Sequence, residues 1–169
     1  QQRDALEFQL KNIANSDALT GVANRLALES YIRHLESQPK KLEKLCLIVI
    51  DIDDFKQVND QYGHMIGDKV IQMVANILKT NVRSTDLIVR YGGDEFLVLL
   101  EQMNDVEALS IADQIRRDVE KANMQVGLAP DLHVSVSAGY AIGGASWLEL
   151  FHKADQSLFK AKAKGKNAV

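Results

Sequence analysis

Five acidic residues of this chain fall in two short stretches, each at one end of an apolar run. They are Asp51, Asp53 and Asp54 after the run 45–50, and Asp94 and Glu95 before the run 96–100. Carboxylate clusters select hard cations, above all Mg²⁺, which takes its remaining ligands from phosphates and water. Two such ions activate an attacking hydroxyl and neutralise a leaving phosphate. If the two runs are neighbouring strands, these residues suggest Mg²⁺-dependent phosphoryl or nucleotidyl transfer. Their spacing does not choose the base or the acceptor.

Gly92 and Gly93 precede the second acidic pair and separate the apolar runs 87–89 and 96–100. Adjacent glycines between short apolar runs predict a tight hairpin, whose turn is expected to need the positive φ that glycine adopts without penalty. Their missing side chains also leave room for a bulky ligand to approach the backbone. An isolated motif of this kind is equally well explained as a solvated hairpin tip, so the rest of the chain has to decide.

Composition excludes several classes of protein. The 169 residues suffice for one domain or slightly more, and the net charge of −3 provides no basic field for nucleic acid. No apolar stretch reaches membrane-spanning length and no signal peptide is visible, so we expect a cytoplasmic domain. The single Cys46 lies in an apolar run and is expected in the core.

Residues 1–15 carry Leu6, Leu10 and Ile13 at a heptad-like spacing. We expect a short helical linker that serves as a dimer stalk, although a helix packed on its own domain has the same pattern. Because the sequence opens with Gln-Gln and not with Met, we also expect a sensory domain upstream of it. Whether that upstream region anchors the intact protein to a membrane stays open.

Residues 16–169 predict an α/β sandwich in which one mostly antiparallel sheet is covered by helices. The predicted elements are a helix from Asn24 to about 38, a strand over 45–52, a polar loop over 55–67 and a helix after it, the glycine hairpin, a helix over 105–122, a strand over 133–141, and a last helix from Ser146. Asn24, the pair Asn104 and Glu107, and the pair Ser146 and Glu149 are the capping signals. Asp53 and Asp54 are equally explained as residues that end a strand.

Several motifs together closely resemble those of the GGDEF domains, the diguanylate cyclases, which join two GTP into cyclic di-GMP and release pyrophosphate. In chain order, the motifs are residues 17–21 followed by Asn24 and Arg25; residues 51–56 followed by Asn59 and Asp60; Gly63 and His64 followed by Gly67 and Asp68; residues 92–96; residues 137–139; and Ala161 and Lys162 followed by residues 165–167. The resemblance covers about residues 16–167. It implies a five-stranded, mostly antiparallel central sheet flanked by helices, related to polymerase palms and class III nucleotide cyclases.

The resemblance also implies a role for each matching residue. Asp51, the Ile52 carbonyl and Asp94 would hold Mg²⁺, with Mn²⁺ as a substitute, and Glu95 would be the catalytic base, a ligand of a second metal, or both. GTP would be bound by Phe55, Lys56, Asn59, His64, Asp68, Gly92, Gly93, Lys162 and Lys166. Of these, Asn59 and Asp68 would read the guanine edge, with His64 nearby, and the two lysines would contact the outer phosphates. Lys166 stands where many family members have arginine, so weaker phosphate anchoring is expected.

Arg83 and Asp86 match the RxxD product-inhibition site of the same family, where cyclic di-GMP that bridges two domains would hold their active sites apart. Arg83 would clamp guanine and phosphate, and Asp86 would accept from a guanine edge. The two-fold symmetry of the product further implies a homodimer in which each domain presents one GTP.

Three alternatives stay open. An inactive GGDEF domain would bind cyclic di-GMP through Arg83 and Asp86 or GTP in the main pocket, although no signature acid or glycine is missing. A receiver-like phosphoacceptor would need a second buried strand ending in a lone Asp, which the sequence lacks. A cyclase of altered base choice is disfavoured by Asp68. The remaining histidines have no possible ligand or catalytic partner at a suitable spacing, and we expect them to be structural or surface residues: His34, His133 and His152.

Overall fold

A computed structural model of the protein describes residues 14–126 and 129–169. The predicted stalk therefore lies outside the described residues, except for its last two positions. The described elements are α1 (Arg25–Glu36), α2 (Pro39–Glu43), β1 (Cys46–Ile52), α3 (Phe55–Tyr62), α4 (His64–Asn81), β2 (Leu87–Arg90), β3 (Glu95–Leu100), α5 (Asp105–Val126), β4 (Val136–Ile142) and α6 (Trp147–Ala163). Of these helices, none combines the length and the apolar character needed to cross a bilayer.

The strands form one sheet in the order β2-β3-β1-β4, and every pair is antiparallel. Within the described residues the sheet has four strands, not the five that the resemblance implies. At the outer edge of β2, Ala23 makes a single parallel bridge with Val89. Gly21 turns the chain at φ +77° and Asn24 already caps α1, so too few residues remain between them for a full strand.

The sheet lies between two layers of helices, which confirms the predicted α/β sandwich. One face of β1, with Ile48 and Ile50, packs against α4 and α5. The opposite face, with Leu47 and Val49, packs against α1 and α6. The pKa of Cys46 is raised to about 12, mainly because the thiol is buried. The thiol therefore stays protonated, as an ordinary core side chain does.

Local capping signals start the helices where the sequence predicted. Asn24 accepts from the Ala27 N–H at 3.0 Å at the start of α1. Asn104 accepts from the Glu107 N–H at 2.8 Å before α5, and Ser146 accepts from the Glu149 N–H at 3.2 Å before α6. The sequence thus predicts these boundaries from short-range hydrogen bonding alone.

The segment 55–67 is not the polar loop that its composition predicted. It forms α3 and the first turn of α4, which Gly63 separates at φ +88°. Phe55, Val58 and Tyr62 recur at three- to four-residue spacing and turn one face of α3 towards the core. The many polar residues of this segment lie on the other face of the helix. They obscured the helical spacing of its three apolar residues in the sequence.

Gly139 lets α6 lie directly on the backbone of β4. A Cβ atom at this position would come within 2.0 Å of the Leu158 nitrogen and 2.6 Å of the Ala154 oxygen. No other residue permits this approach without moving the helix. Close packing here places the last turn of α6, which contains Lys162, over the end of β1.

Asp53 joins three segments of the chain at the end of β1. Its carboxylate accepts from the hydroxyl groups of Ser135 and Ser137, both at 2.7 Å, and from the Asn167 N–H at 2.9 Å. These three donors tie β1 to β4 and to the C-terminal segment. The arrangement favours the interpretation of Asp53 as a structural residue.

Replacing Asp53 with alanine is therefore expected to destabilise the domain. Hydrogen bonds to a charged group contribute about 1.5–3 kcal/mol each, and the buried Ser137 hydroxyl would lose its acceptor, so we expect a loss of roughly 3 kcal/mol. For a domain of this size that lowers the melting temperature by about 6–12 °C in thermal unfolding at pH 7. Asp60→Ala, at an exposed position of α3, is the control. A melting temperature equal to that of the control would contradict this role.

Candidate active site

The register of β1 and β3 brings the two acidic stretches together. Asp51 and Glu95 are directly opposed in the antiparallel pair, and opposed side chains lie on the same face of a sheet. The Ile52 N–H donates to the Asp94 carbonyl at 3.1 Å, which holds Asp94 beside the same strand end. The two runs are thus neighbouring strands, and Asp51, Asp94 and Glu95 converge at one end of the sheet.

These three carboxyl groups repel one another. Burial raises the pKa of Asp94 above its ordinary value, and the charge of Asp51 and a hydrogen bond with its carboxyl group raise it further. Burial also raises the pKa of Glu95, and the charges of Asp51, Asp155 and Asp94 act in the same direction. Acids whose charged forms are destabilised in this way are relieved by a cation placed among them.

Two lysines from the C-terminal part of the chain contact the acids of this strand end. Lys162 Nζ donates to Asp51 Oδ2, and Lys166 Nζ donates to Asp54 Oδ1 at 2.5 Å. Partial burial acts to lower the pKa of Lys162, but its hydrogen bond to Asp51 and the surrounding carboxylates raise it above its ordinary value. Both lysines stay charged beside the cluster, and their contact with phosphates remains a prediction.

The raised pKa of Glu95 predicts how its removal affects stability. A carboxyl group with a raised pKa in the folded state stabilises the fold below its ordinary pKa, and this contribution is lost as the pH rises through the folded value. We therefore expect Glu95→Gln to raise the melting temperature of the ligand-free domain by a few degrees at pH 7. The difference from wild type should shrink as the pH falls through the raised pKa of Glu95, and it should vanish below the ordinary value of 4.5.

Thermal unfolding at a series of pH values measures this effect, and Glu36→Gln at the exposed end of α1 is the matched control. A Glu95→Gln variant that melts below wild type at pH 7 would contradict the predicted repulsion.

Gly92 and Gly93 do not have the positive φ that the hairpin was expected to need. A Cβ at Gly92 would lie 3.5 Å from the Cβ of Glu95, and one at Gly93 would meet no atom within 4 Å in the described part of the chain. The fold therefore does not require glycine at either position. Among the described residues, the space beside Gly93 is open, in agreement with the expected room for a ligand.

Arg90 and the backbone of Glu95 hold this loop in place. Arg90 Nη2 donates to the Gly93 carbonyl at 2.9 Å, and Nη1 donates to Asp17 Oδ1 at 3.3 Å. The N–H groups of Tyr91 and Gly92 both donate to the Glu95 carbonyl, at 2.8 and 3.2 Å. The loop is thus fixed both to the N-terminal segment and to the start of β3.

The residues expected to read guanine lie around the junction of α3 and α4. A Cβ at Gly67 would lie 1.9 Å from Asn59 Oδ1, so glycine is what allows this amide to pack against α4. Asn59 Oδ1 is buried and has no hydrogen-bond partner among the residues that the structure describes. A buried acceptor in this state costs about 1–3 kcal/mol, which an N–H group of a ligand would relieve. His64 and Asp68 are exposed beside it.

Phe55 and Lys56, the other residues expected near the substrate, open α3 after Asp54. Phe55 is half-buried and packs against the core on the α4 side of the sheet, whereas Lys56 is exposed. Asp54 has φ +53°, in the left-handed region. This turn directs the chain from the acidic strand end into the helix that contains Asn59.

Arg83 and Asp86 pair with each other. Arg83 Nε and Nη2 donate to the two Asp86 carboxylate oxygens, each at 3.0 Å, and Nη2 also donates to the Glu101 carbonyl at 2.8 Å. The Asp86 side chain is 1% exposed and that of Arg83 is 51% exposed. Of the two, Arg83 is therefore accessible to a ligand, next to a groove of about 440 Å³ that both residues line.

The donor set at the strand end fits a divalent cation. Asp51 and Asp94 provide neighbouring carboxyl groups, and the Ile52 N–H donates to the Asp94 carbonyl. Across residues 14–126 and 129–169, no three side chains of His, Cys, Asp or Glu are arranged to hold a metal ion by themselves. A cation at this site would draw further oxygen ligands from the Ile52 carbonyl, phosphates and water.

Comparison with known proteins assigns the chain to a family. Residues 14–168 match the sequence model described as diguanylate cyclase, GGDEF domain. The chain belongs to the GGDEF domain family. This GGDEF domain is 34% identical over 170 residues to diguanylate cyclase DosC and 37% identical over 174 residues to diguanylate cyclase DgcM, both of Escherichia coli K12. Each alignment covers 99% of this chain but only 37% and 41% of those proteins, so the chain spans less than half of their length.

A solved structure has the same fold as this GGDEF domain. The coiled coil and GGDEF domain of DgcB from Caulobacter crescentus, in complex with c-di-GMP, superposes with a TM-score of 0.87 at 28% identity. The match covers 99% of this chain and 90% of that one.

The sequence had not indicated several contacts of this GGDEF domain. Nothing in the residue spacing paired Arg90 with Asp17 or Asp53 with two serines, since these partners are more than 70 residues apart. For Asp17 alone a local signal exists, because Thr20 donates to it three residues later through both its N–H and its hydroxyl group.

Proposed function

We propose that this domain condenses two GTP molecules into cyclic di-GMP with release of two pyrophosphates, in the presence of Mg²⁺ and as a dimer of domains. The observation that carries the proposal is the opposed pair Asp51 and Glu95, with Asp94 beside it and a glycine loop that the fold itself does not require. The diguanylate cyclases DosC and DgcM and the c-di-GMP bound to DgcB support the choice of reaction.

The acidic cluster and the two neighbouring lysines have different tasks in this reaction. Asp51, Asp94 and the Ile52 carbonyl would hold Mg²⁺, or Mn²⁺ in its place, which supplies positive charge where the pyrophosphate leaves. Glu95 accepts the proton of the attacking 3′-hydroxyl, a role suited to a carboxylate of raised pKa. Lys162 exchanges its bond to Asp51 for the outer phosphates, and Lys166 exchanges its bond to Asp54 in the same way.

The choice of guanine rests on two residues at the α3–α4 junction. The exposed Asp68 carboxylate accepts from the N1–H and N2–H₂ groups of guanine, a pair that adenine does not offer. Asn59 Oδ1, which has no partner in the described ranges 14–126 and 129–169, provides a further acceptor nearby. Since both residues follow the acidic strand end directly in the chain, base and triphosphate would extend over one continuous surface. The relation of this fold to polymerase palms, which the family resemblance implies, remains a prediction.

Incubation of the protein with GTP and Mg²⁺ at a series of protein concentrations tests the proposal. Nucleotides are separated by chromatography, and ATP serves as the matched substrate. We expect cyclic di-GMP from GTP, no cyclic product from ATP, and a yield per protein that rises with protein concentration because two domains must meet. A protein that binds cyclic di-GMP but makes none at any concentration would instead be the inactive binding module.

A second site is proposed for product inhibition at Arg83. Its half-exposed guanidinium borders the 440 Å³ groove, while Asp86 holds it in position. We expect Arg83→Ala to raise the inhibitory concentration of cyclic di-GMP by about tenfold or more, within the usual range of coupling between sites. The initial rate should be unchanged. Arg33→Ala, an exposed arginine of α1, is the control, and equal inhibition of both variants would refute the site.

A further inference from the structure

Arg25, the first residue of α1, lies against the loop that contains the two glycines. Its Nε donates to the Tyr91 carbonyl at 2.6 Å, and its guanidinium carbon is 4.0 Å from the centre of the Tyr91 ring. The Tyr91 ring packs against Phe151 with centroids 5.5 Å apart, and Phe151 is 5.9 Å from Trp147. One cation and three aromatic rings therefore connect α1, loop 91–94 and α6.

The peptide between Tyr91 and Gly92 is held at both of its polar atoms. Its carbonyl accepts from Arg25, and its N–H donates to the Glu95 carbonyl at 3.2 Å. Because a peptide unit is planar and rotates as a whole, the bond from Arg25 fixes the direction of the Gly92 N–H. That N–H and the N–H of Tyr91 both donate to the Glu95 carbonyl and hold the Glu95 backbone on the loop side.

We propose that Arg25 is a positioning residue for Glu95, acting through the Tyr91–Gly92 peptide. The inference rests on the proposed function, in which Glu95 is the catalytic carboxylate. Arg25 itself is exposed at the surface of α1, so its replacement should leave global stability nearly unchanged. Its effect falls on the alignment of the loop with β3, and catalysis is sensitive to such small displacements.

Arg25→Met tests this proposal, because methionine keeps the length of the side chain and removes the guanidinium group. We expect the amide protons of Tyr91 and Gly92 to exchange with solvent about tenfold faster or more, while amides of β1 exchange as in wild type. At saturating GTP and at a protein concentration where the yield per protein no longer rises, kcat should fall about tenfold or more, with KM changed by less than about twofold. The melting temperature should stay near that of wild type.

Two further variants complete the test. Arg33→Met, on the same helix, removes an exposed arginine whose Nε contacts the Glu29 carbonyl of its own helix, and it should behave as wild type. Arg25→Lys keeps the charge over the ring but loses the planar fork, so it should recover part of the lost kcat.

If the amide protons of Tyr91 and Gly92 in Arg25→Met exchange with solvent as slowly as in wild type, the proposal is overturned, whatever the activity of the variant. It would also be overturned if kcat, KM and melting temperature changed together, as in general destabilisation. A wild-type protein that makes no cyclic di-GMP would refute the proposed function, whereas the exchange measurement would still decide whether Arg25 holds this peptide.

Discussion

Glu95→Gln should lower the rate of cyclic di-GMP formation by roughly 10²–10⁴-fold, the usual contribution of a general acid–base group. Glutamine has nearly the shape of glutamate, but its amide neither accepts a proton from the 3′-hydroxyl nor ligates a cation as a carboxylate does. Because the side chain is opposed to Asp51 in a well-paired strand, the substitution should leave the sheet intact. Initial rates at saturating GTP, with product quantified by chromatography, measure the loss.

The stability of the same Glu95→Gln protein can be measured beside its activity. Glu95→Gln should lose activity while its ligand-free form gains stability at pH 7, because a half-buried charge is removed and its repulsion with Asp51 is relieved. Glu36→Gln should change neither property. A rate within tenfold of wild type would show that Glu95 is not the proton acceptor.

Gly93→Val should weaken GTP binding while the domain still folds. The φ of Gly93 does not demand glycine, and no atom of the described residues lies within 4 Å of a Cβ at this position, so a side chain is accommodated in the ligand-free state. It would then occupy space that the triphosphate needs. Filling a fitted space costs about 1–3 kcal/mol, which corresponds to roughly 5- to 150-fold weaker binding. Equilibrium binding of a non-hydrolysable GTP analogue, together with a melting curve, measures both properties.

Gly139→Val is the contrasting variant for this prediction. Its Cβ would clash at 2.0 Å with the backbone of α6, so it should fail to fold. If Gly93→Val also unfolded, or if it bound the analogue as tightly as wild type, glycine at position 93 would not be explained by a ligand.

The sequence predicted the parts of this structure that depend on short-range patterns. The unbroken apolar run before Asp51 identified the central strand, and the helix caps identified where α1, α5 and α6 begin. Convergence of Asp51 with Glu95 followed from a single assumption, that the two apolar runs are neighbouring strands. The helix α3 was missed because its apolar side is only three residues long.

Contacts between distant segments could not be predicted in this way. Asp53 has its partners just before β4, on β4 and in the C-terminal segment, and Arg25 has its partner 66 positions away. Sequence alone gives a residue's chemical type but not the side chains that three-dimensional packing brings to it. The glycine loop shows the same limit, since motif reasoning expected a backbone requirement where the structure has open space.

The register of β1 against β3 also limits where the length of the chain can change. One residue inserted between Cys46 and Asp51 would turn Asp51 to the opposite face of the sheet, among the apolar side chains beneath α4 and α5. A buried charge there would cost more than the domain can tolerate. Insertions are expected to be accepted in connections away from this pair, such as 101–104 after β3. The geometry of the proposed acidic site thus depends on the length of β1 as well as on residue type.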